Sequence, residues 1–599
     1  MNILMALSQL EVTGAEVYGV TLADELIKRG NKVYIVSDTL TKPTDAEYFK
    51  IEFNKRSLGQ RVDQVKKLLK IIREKDIQVV HAHSRASSWS SAIACKIAGI
   101  PLVTTTHGRQ PIHFSRKVIK GFGDFGITVC ENIYNQLVEC LGVKEDKLCV
   151  LRNPVGLEEY SFSSMPKNNK KIISIIGRLS GPKGDVCYDL LEKICVDDSY
   201  TVQVIGGKEI PESFKKFENK VNFLGYVNNV PEEIKKSDLI IGAGRVAIEG
   251  ILSGRPVIAV GEQEYLGLVT RESIKKSLAS NFGDVNPKAK GVDVSDVLKD
   301  IEKSFEMEER ELLELRGIIE ENFSFDKIID EIEKIYARQY VLKKKYDIPV
   351  IMYHRIIREN DVKGVHGIYV LDKVFDEQMK YLKESGYQTI TFEDIKNGKW
   401  RDRFNKGNKW IMITFDDGYT DNYEVAFPIL KKYGFKATIY LLGEVKYNKW
   451  DVDVKENPEE RFELMSDKQI LEMQDYGIEF GGHTLTHPKL AELDIKDARR
   501  EILESKDILD KKLGRNMNVF AYPYGSLNED VKSVVKEAGY QFAVATDSGS
   551  LSFSEDLFQI RRIAIFPKNN MFSFKRKVSG KYNFVKVKRE KRNNKILEY

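Results

Sequence analysis

The chain has 599 residues, 31% of them charged and 42% hydrophobic, with a net charge of +5. It is too long for one core, and its length predicts three or four domains. The composition is that of a soluble globular protein, and no run approaches the roughly 20 apolar residues of a membrane-spanning helix. All six cysteines (Cys95, Cys130, Cys140, Cys149, Cys187 and Cys195) fall in the first third, without a Cys-x-x-Cys pair. The expectation is therefore unpaired thiols in a reducing cytoplasm and no disulfide framework.

The first residues, Met1 to Ser8, lack a basic leader and a long apolar core, so they read as a first strand and not as a signal peptide. Apolar runs recur at Ile3–Leu7, Val33–Val36, Gln78–Ala82 and Leu102–Thr105. After Pro154 the rhythm restarts at Ile172–Ile176, Val202–Ile205, Leu239–Ile241 and Val257–Val260. Short buried strands alternating with amphipathic helices predict doubly wound parallel sheets. Two such blocks predict an α/β chain with two Rossmann-like domains, at 1–165 and 166–340. Their ligands would lie in the crevice outside the carboxyl ends of the strands.

Gly14, in Val12-Thr13-Gly14-Ala15-Glu16, follows the first strand and opens a helix. After the strand ending at Ile176, Arg178 and Lys183 place two cations suited to a diphosphate. Gly242-Ala243-Gly244 puts a glycine-rich turn at a helix N-terminus, where free N–H groups meet phosphate oxygens. Glu249, one turn on, is placed to accept hydrogen bonds from ribose hydroxyls.

Taken together, the Gly-Ala-Glu near the start, the Gly-Arg-Leu…Lys-Gly pair and the Glu-Gly…Gly-Arg-Pro-Val segment resemble the family 4 glycosyltransferases of GT-B fold, over roughly residues 1–340. The resemblance implies a retaining transferase that uses a nucleotide sugar and needs no metal. It implies that Arg178 and Lys183 bind the diphosphate, Glu249 the ribose, and His107 the sugar, with Gly14 at the same site. One position departs from the pattern. The family's paired glutamates lie eight residues apart, and the first would fall at Ile241. Either the donor contacts are altered, or this half is a non-catalytic glycan-binding module.

Met307–Tyr336 reads as a long charged helical region, followed by a basic linker at Lys343-Lys344-Lys345. Beyond it, four short segments each follow a predicted strand: Tyr353-His354, Asp416-Asp417-Gly418, His483-Thr484-Leu485-Thr486-His487 and Tyr522-Pro523-Tyr524-Gly525. In a β/α barrel, groups at the C-terminal ends of strands converge on one face. Asp417, His483 and His487 supply three ligands for a divalent metal, zinc by default, with a position left for water. The i, i+4 spacing predicts both imidazoles on one side of a helical turn. Consecutive side chains diverge, so Asp416 is placed as a base and not as a fourth ligand.

These motifs resemble the polysaccharide deacetylase family (NodB-like, carbohydrate esterase 4), over roughly residues 348–566. The resemblance implies a distorted β/α barrel that removes acetyl groups from N-acetylated sugars, with Asp416 as base and Asp417, His483 and His487 on a zinc, cobalt or nickel ion. It also implies an oxyanion donor in the backbone N–H of Tyr524. The family's third motif usually carries an Arg where this chain has Ala521, and no histidine follows His487 to serve as the general acid. His354 resembles the early histidine acid of the poly-β-1,6-N-acetylglucosamine deacetylases. Arg561 or Arg562 is the expected replacement for the missing Arg.

The last segment, 567–599, carries eleven Lys or Arg against one Glu from Lys568 to Lys595, interleaved with aromatics. It reads as a basic tail suited to an anionic membrane surface. The whole then reads as a bifunctional enzyme of the cytoplasm or the inner membrane face. It would transfer sugar from a nucleotide sugar and deacetylate an N-acetylated or lipid-linked glycan, with no nucleic acid partner. A barrel hydrolysing a non-sugar amide or ester is the remaining alternative.

Overall fold

The computed structural model describes residues 1–8, 14–40, 42–55, 57–110, 112, 121–196, 198–207, 209–227, 229–286, 288, 291–364, 366–397, 409–452, 460–546, 553 and 556–586. The chain divides into two compact units, Asn2–Gln339 and Tyr340–Tyr599. Among the described residues no helix is long and apolar enough to cross a membrane.

The first unit holds two sheets. One has seven strands in the spatial order Glu47–Lys50, Lys32–Ser37, Asn2–Ala6, Val79–Ala82, Leu102–Thr106, Phe125–Thr128 and Leu148–Val150, all parallel. The chain direction reverses across the sheet between Asn2–Ala6 and Val79–Ala82, where doubly wound folds open their ligand crevice. Strands covered on both faces need continuous apolar runs, and Ile3, Leu4, Met5 and Ala6 are all fully buried. The second sheet runs Val221–Gly225, Thr201–Ile205, Ile172–Ile176, Leu239–Gly242, Val257–Val260 and Tyr265–Leu268, with only the last strand antiparallel.

Two readings of the connecting region change. The single helical region expected over Met307–Tyr336 is two helices, Glu309–Phe323 and Phe325–Lys344, broken at Ser324 where φ is −59° and ψ 127°. Lys343 and Lys344 end the second helix instead of forming a linker. Basic side chains are favoured in that last turn by the helix dipole.

The second unit is a parallel barrel. Its sheet has the order Ile560–Arg561, Phe542–Ala545, Val519–Ala521, Glu479–Gly482, Thr438–Leu441, Lys409–Phe415, Val350–Tyr353 and Ile563–Ala564, with Tyr387–Thr389 paired to the outer half of Lys409–Phe415. The first and last members belong to one short stretch of chain. Ile560 and Arg561 pair with Val544 and Ala545, while Ile563 and Ala564 pair with Ile351 and Met352. The sheet therefore closes on itself through Arg562.

Part of the expected basic tail is built into this unit. Helix Met571–Lys577 sends Phe574 into the core, and Val578 follows it, both fully buried. Lys577 donates to the carbonyl of Ala564 at 2.6 Å. The segment 587–599, with five of the basic residues between Lys588 and Lys595, lies outside the described residues.

Candidate functional site

Strand pairing sets the first half of the site. Tyr353 is in register with Phe415, so His354 and Asp416 leave neighbouring strands side by side, and the N–H of Asp416 donates to the Tyr353 carbonyl at 3.0 Å. His354 Nε2 stands 3.9 Å from Asp416 Oδ2, with 19% of its side chain exposed. The Asn422 carboxamide donates to the His354 carbonyl at 2.7 Å and fixes the backbone there.

Arg562, the residue at the barrel's closure, is the partner of Asp416. Its guanidinium donates to Oδ1 at 2.5 Å and to Oδ2 at 2.8 Å, both atoms buried. Of the two arginines expected to replace the missing family residue, Arg562 takes this place. Burial works against ionising Asp416, but Arg562 and then His354 hold its carboxyl below the usual range. The two aspartates diverge, as expected of neighbours. Asp417 adopts a left-handed φ of 73° and faces the histidines.

The histidine segment is a loop and not the expected helical turn. Thr484 and His487 both have positive φ, 72° and 69°, which no α-helix contains. Side chains hold this shape. Thr484 Oγ1 accepts from the His487 N–H at 3.0 Å. Glu501, 5% exposed, accepts from Leu485 N at 2.9 Å, Thr486 N at 3.0 Å and Thr486 Oγ1 at 2.8 Å. The outcome is the convergence expected of His483 and His487, reached by a different backbone.

The Nε2 atoms of His483 and His487 lie 3.4 and 3.3 Å from Asp417 Oδ1. Among the described residues these three form the one group of His, Cys, Asp or Glu whose ligand atoms all lie within 4.8 Å of one another. His483 Nδ1 is 2.7 Å from the Ala521 carbonyl. A carbonyl only accepts, so Nδ1 carries the proton and Nε2 keeps its lone pair. Asp417 Oδ1 is buried with no directed hydrogen bond. A carboxylate oxygen and two imidazole nitrogens gathered around an unmet position fit a divalent metal. Burial alone would raise the Asp417 carboxyl, yet the two imidazoles hold it well below its ordinary value.

Trp450 stacks on His487 at 4.4 Å, and the ring of Tyr524 meets it edge-on at 4.6 Å. Tyr524 itself has φ 57° and ψ 5°. Of the eight non-glycine residues at positive φ among those described, four (Asp417, Thr484, His487 and Tyr524) are here. Strain of that kind gathers where surrounding structure over-determines the backbone. Trp450, Glu501 and Asn422 carry no motif signal, and nothing in the sequence pointed to them.

In the first unit, Gly14 opens helix Gly14–Lys28. Tyr18 of that helix brings its ring to 5.1 Å from His107, which follows strand Leu102–Thr106. Arg178 is exposed. Lys183 is paired with Asp284 at 2.8 Å, and a Cβ on Gly244 would stand 3.1 Å from the same carboxylate oxygen. The N-terminal ends of helices Gly181–Ile194 and Arg245–Leu252 thus meet at Asp284. Glu249 is 5% exposed and bonded to Arg245 at 2.6 Å. Ile241 is fully buried inside strand Leu239–Gly242.

Comparison with known proteins follows the same division. The polysaccharide deacetylase family model matches residues 404–543, and that of glycosyltransferase family 4 matches residues 12–159. A putative polysaccharide deacetylase, YxkH of Bacillus subtilis, is 32% identical over 38% of this chain and 74% of its own length. The poly-beta-1,6-N-acetyl-D-glucosamine N-deacetylase of Staphylococcus epidermidis is 26% identical over 36% of this chain and 77% of its own. A glycosyltransferase structure from Rickettsia africae is 21% identical with a TM-score of 0.46, covering 56% of this chain and 98% of that one. The chain belongs to the polysaccharide deacetylase family, with a glycosyltransferase family 4 domain ahead of the deacetylase.

Proposed function

We propose that the second unit is a metal-dependent N-deacetylase of an N-acetylated glycan, and that the first unit transfers sugar from a nucleotide sugar to that glycan or its lipid-linked precursor. The observation that carries the deacetylase reading is the buried, unbonded Asp417 oxygen facing two imidazole nitrogens beside an arginine-clamped Asp416. The Staphylococcus epidermidis relative, whose name gives a polymer of N-acetyl-D-glucosamine, supports that substrate class.

Asp417, His483 and His487 would hold the ion, zinc by its donor set, and the ion would supply Lewis acidity towards the acetyl carbonyl and the attacking water. Asp416, kept ionised by Arg562, takes the proton from that water on a carboxylate oxygen. Arg562 fixes the orientation of the carboxylate through two parallel bonds. The backbone N–H of Tyr524 donates to the oxygen of the tetrahedral state, a contribution of about 3 kcal/mol for a well-placed donor. As the C–N bond breaks, His354 delivers a proton to the leaving amine, and acetate departs.

The deciding experiment measures acetate release from N-acetylglucosamine oligomers with added zinc or cobalt, wild type beside Asp417→Asn. Release that requires both the metal and Asp417 supports the reading. Release from small amides but not from sugars would move the barrel to another amide class.

A second reading, in which the first unit binds glycan without catalysis, is favoured by the pairing of Lys183 with Asp284 and of Glu249 with Arg245, and by the buried Ile241. Acceptor-dependent release of nucleoside diphosphate separates the two. For the membrane contact, Phe572 is 76% exposed beside Lys575 and Arg576. Removing 587–599 should weaken binding to anionic vesicles while leaving Phe574 and Val578 in place, and unchanged binding removes that part of the proposal.

A further inference from the structure

His354 is the single residue between barrel strand Val350–Tyr353 and strand Arg355–Ile357, and the second of these leaves the barrel to pair with Tyr369–Leu371. The barrel's ladder therefore stops just before the proposed acid, at the Asp416 N–H on the Tyr353 carbonyl. The His354 imidazole stands 3.9 Å from Asp416 Oδ2, beyond hydrogen-bond range, so that contact does not orient the ring. Where the ring points depends on how the backbone at His354 is held.

Two consecutive residues hold it. Asn422 Nδ2 donates to the His354 carbonyl at 2.7 Å and to Asp421 Oδ1 at 3.1 Å. Both partners only accept, so the NH2 end of the carboxamide faces them and both of its hydrogens are used. Asp421 Oδ1 also accepts from the Ile356 N–H at 3.1 Å, and its Oδ2 accepts from Arg355 Nε at 2.9 Å. Arg355 is fixed in turn. It donates to the Val362 carbonyl at 3.0 Å, and its guanidinium lies 3.7 Å from the centre of the Phe462 ring. Asn422 is fully buried and opens a π-helix, Asn422–Ala426. Such turns are rare and gather at functional sites.

The same short segment carries other groups of the reaction. Asp416, Asp417, Asp421 and Asn422 all lie between positions 416 and 422. Between them they supply the base, one metal ligand, and the ties on the carbonyl of His354 and the N–H of Ile356. A shift of this segment moves base and ties together, which keeps the acid in step with the base.

We propose that Asp421 and Asn422 are positioning residues for His354, replacing the strand ladder that ends at Tyr353 and holding the imidazole at the leaving nitrogen. The proposal rests on the deacetylase reading and on His354 as its acid. The step it protects is proton delivery to the amide nitrogen, which does not leave as an anion. An aryl ester does not need that step, because nitrophenolate departs unprotonated. The base, the metal ligands and the oxyanion donor serve both substrates alike.

Steady-state kinetics of the full-length protein with zinc, on N-acetylglucosamine oligomers and on p-nitrophenyl acetate, separate the two demands. Asn422→Ala removes both donors, and Asp421→Asn keeps the shape of the side chain and removes its charge. A misplacement of about 1 Å costs about a hundredfold in rate, so kcat on the oligomers should fall about tenfold or more in each variant. KM should stay near the wild-type value, ester turnover should fall far less, and bound zinc should keep the wild-type ratio. His354→Ala should show the same selective loss. Adding Asn422→Ala to it should lower the oligomer rate little further, because both changes act through one group. Equal fractional loss on the two substrates, or loss of zinc, in both Asn422→Ala and Asp421→Asn would make the pair structural. Full additivity with His354→Ala would place the effect elsewhere, and either result overturns the proposal. A wild type that turns over the ester and no N-acetylated sugar brings down the deacetylase reading, and with it the acid that this pair serves.

Discussion

Arg562 and Asp416 are 146 positions apart in sequence and form one bidentate pair inside the barrel. A buried pair is costly to break on one side, because the remaining charge stays in a medium that cannot solvate it; removing one partner destabilises by about 3–5 kcal/mol. Arg562→Met should therefore lower the melting temperature as well as activity. Arg562→Lys keeps the charge but offers a point donor where two parallel bonds are made. It should lower kcat about tenfold or more while bound metal, measured by elemental analysis, stays at the wild-type ratio. Loss of metal in the lysine variant would show that Arg562 supports the Asp417 ligand set and not Asp416. At the same scale, the buried imidazoles of the first unit predict acid sensitivity. His81, taken down to about 3 by burial, and His83, also depressed, bind fewer protons folded than unfolded below their ordinary pKa of 6.5. Their contribution is complete above that value and is lost as pH falls, by about 1.4 kcal/mol per pH unit for each. Hydrogen exchange of Val79–Ala82 and Leu102–Thr106 should accelerate between pH 6.5 and 5 beyond the intrinsic trend. His83→Gln should show a shallower dependence.

The His483–His487 loop shows what a spacing can and cannot convey. Two histidines four apart after a strand announce a shared ligand set, and they are indeed gathered on Asp417. The same spacing suggests a helical turn, but left-handed φ at Thr484 and His487 rules it out. What overrides the local preference is tertiary. Glu501, on helix Ile495–Leu513, accepts from two backbone N–H groups of the loop and holds them in a non-helical path. The strands bearing the motifs were legible because buried parallel strands demand unbroken apolar runs, and those runs are short enough to recognise. Closure through Ile560–Ala564 was not legible, since two pairs of residues flanking an arginine carry no periodicity. The tail misled for the opposite reason. Its charge density outweighs Phe574 and Val578 in any composition window, although those two residues decide its packing. Glu501→Gln retains the shape and loses one strong acceptor, leaving a buried donor short of its partner at a cost of about 1–3 kcal/mol. Because the loop carries two of the three ligands, zinc affinity measured against a competing chelator should fall about 10–100-fold. Unchanged affinity would mean that Thr484 alone holds the loop.

At the scale of the whole molecule, the chain comprises two compact units with separate hydrophobic cores, and the one clustered ligand set found among the described residues lies in the second. A ligand that binds only the folded state stabilises the unit containing its site by RT ln(1 + [L]/Kd), about 4 kcal/mol at a thousandfold excess over Kd. Metal should therefore act on one unit and leave the other alone. In calorimetry of the full-length protein, chelation should lower one unfolding transition and leave the second in place, with Asp417→Asn reproducing the lowered transition in the presence of zinc. A nucleoside diphosphate should raise only the transition that chelation leaves unmoved. If chelation lowers both transitions together, the units do not unfold independently, and stabilisation at Asp417 reaches the first unit as well. A single transition indifferent to metal would mean that the three ligands hold no ion tightly, which removes the support for metal-dependent deacetylation from the stability side, independently of any choice of substrate.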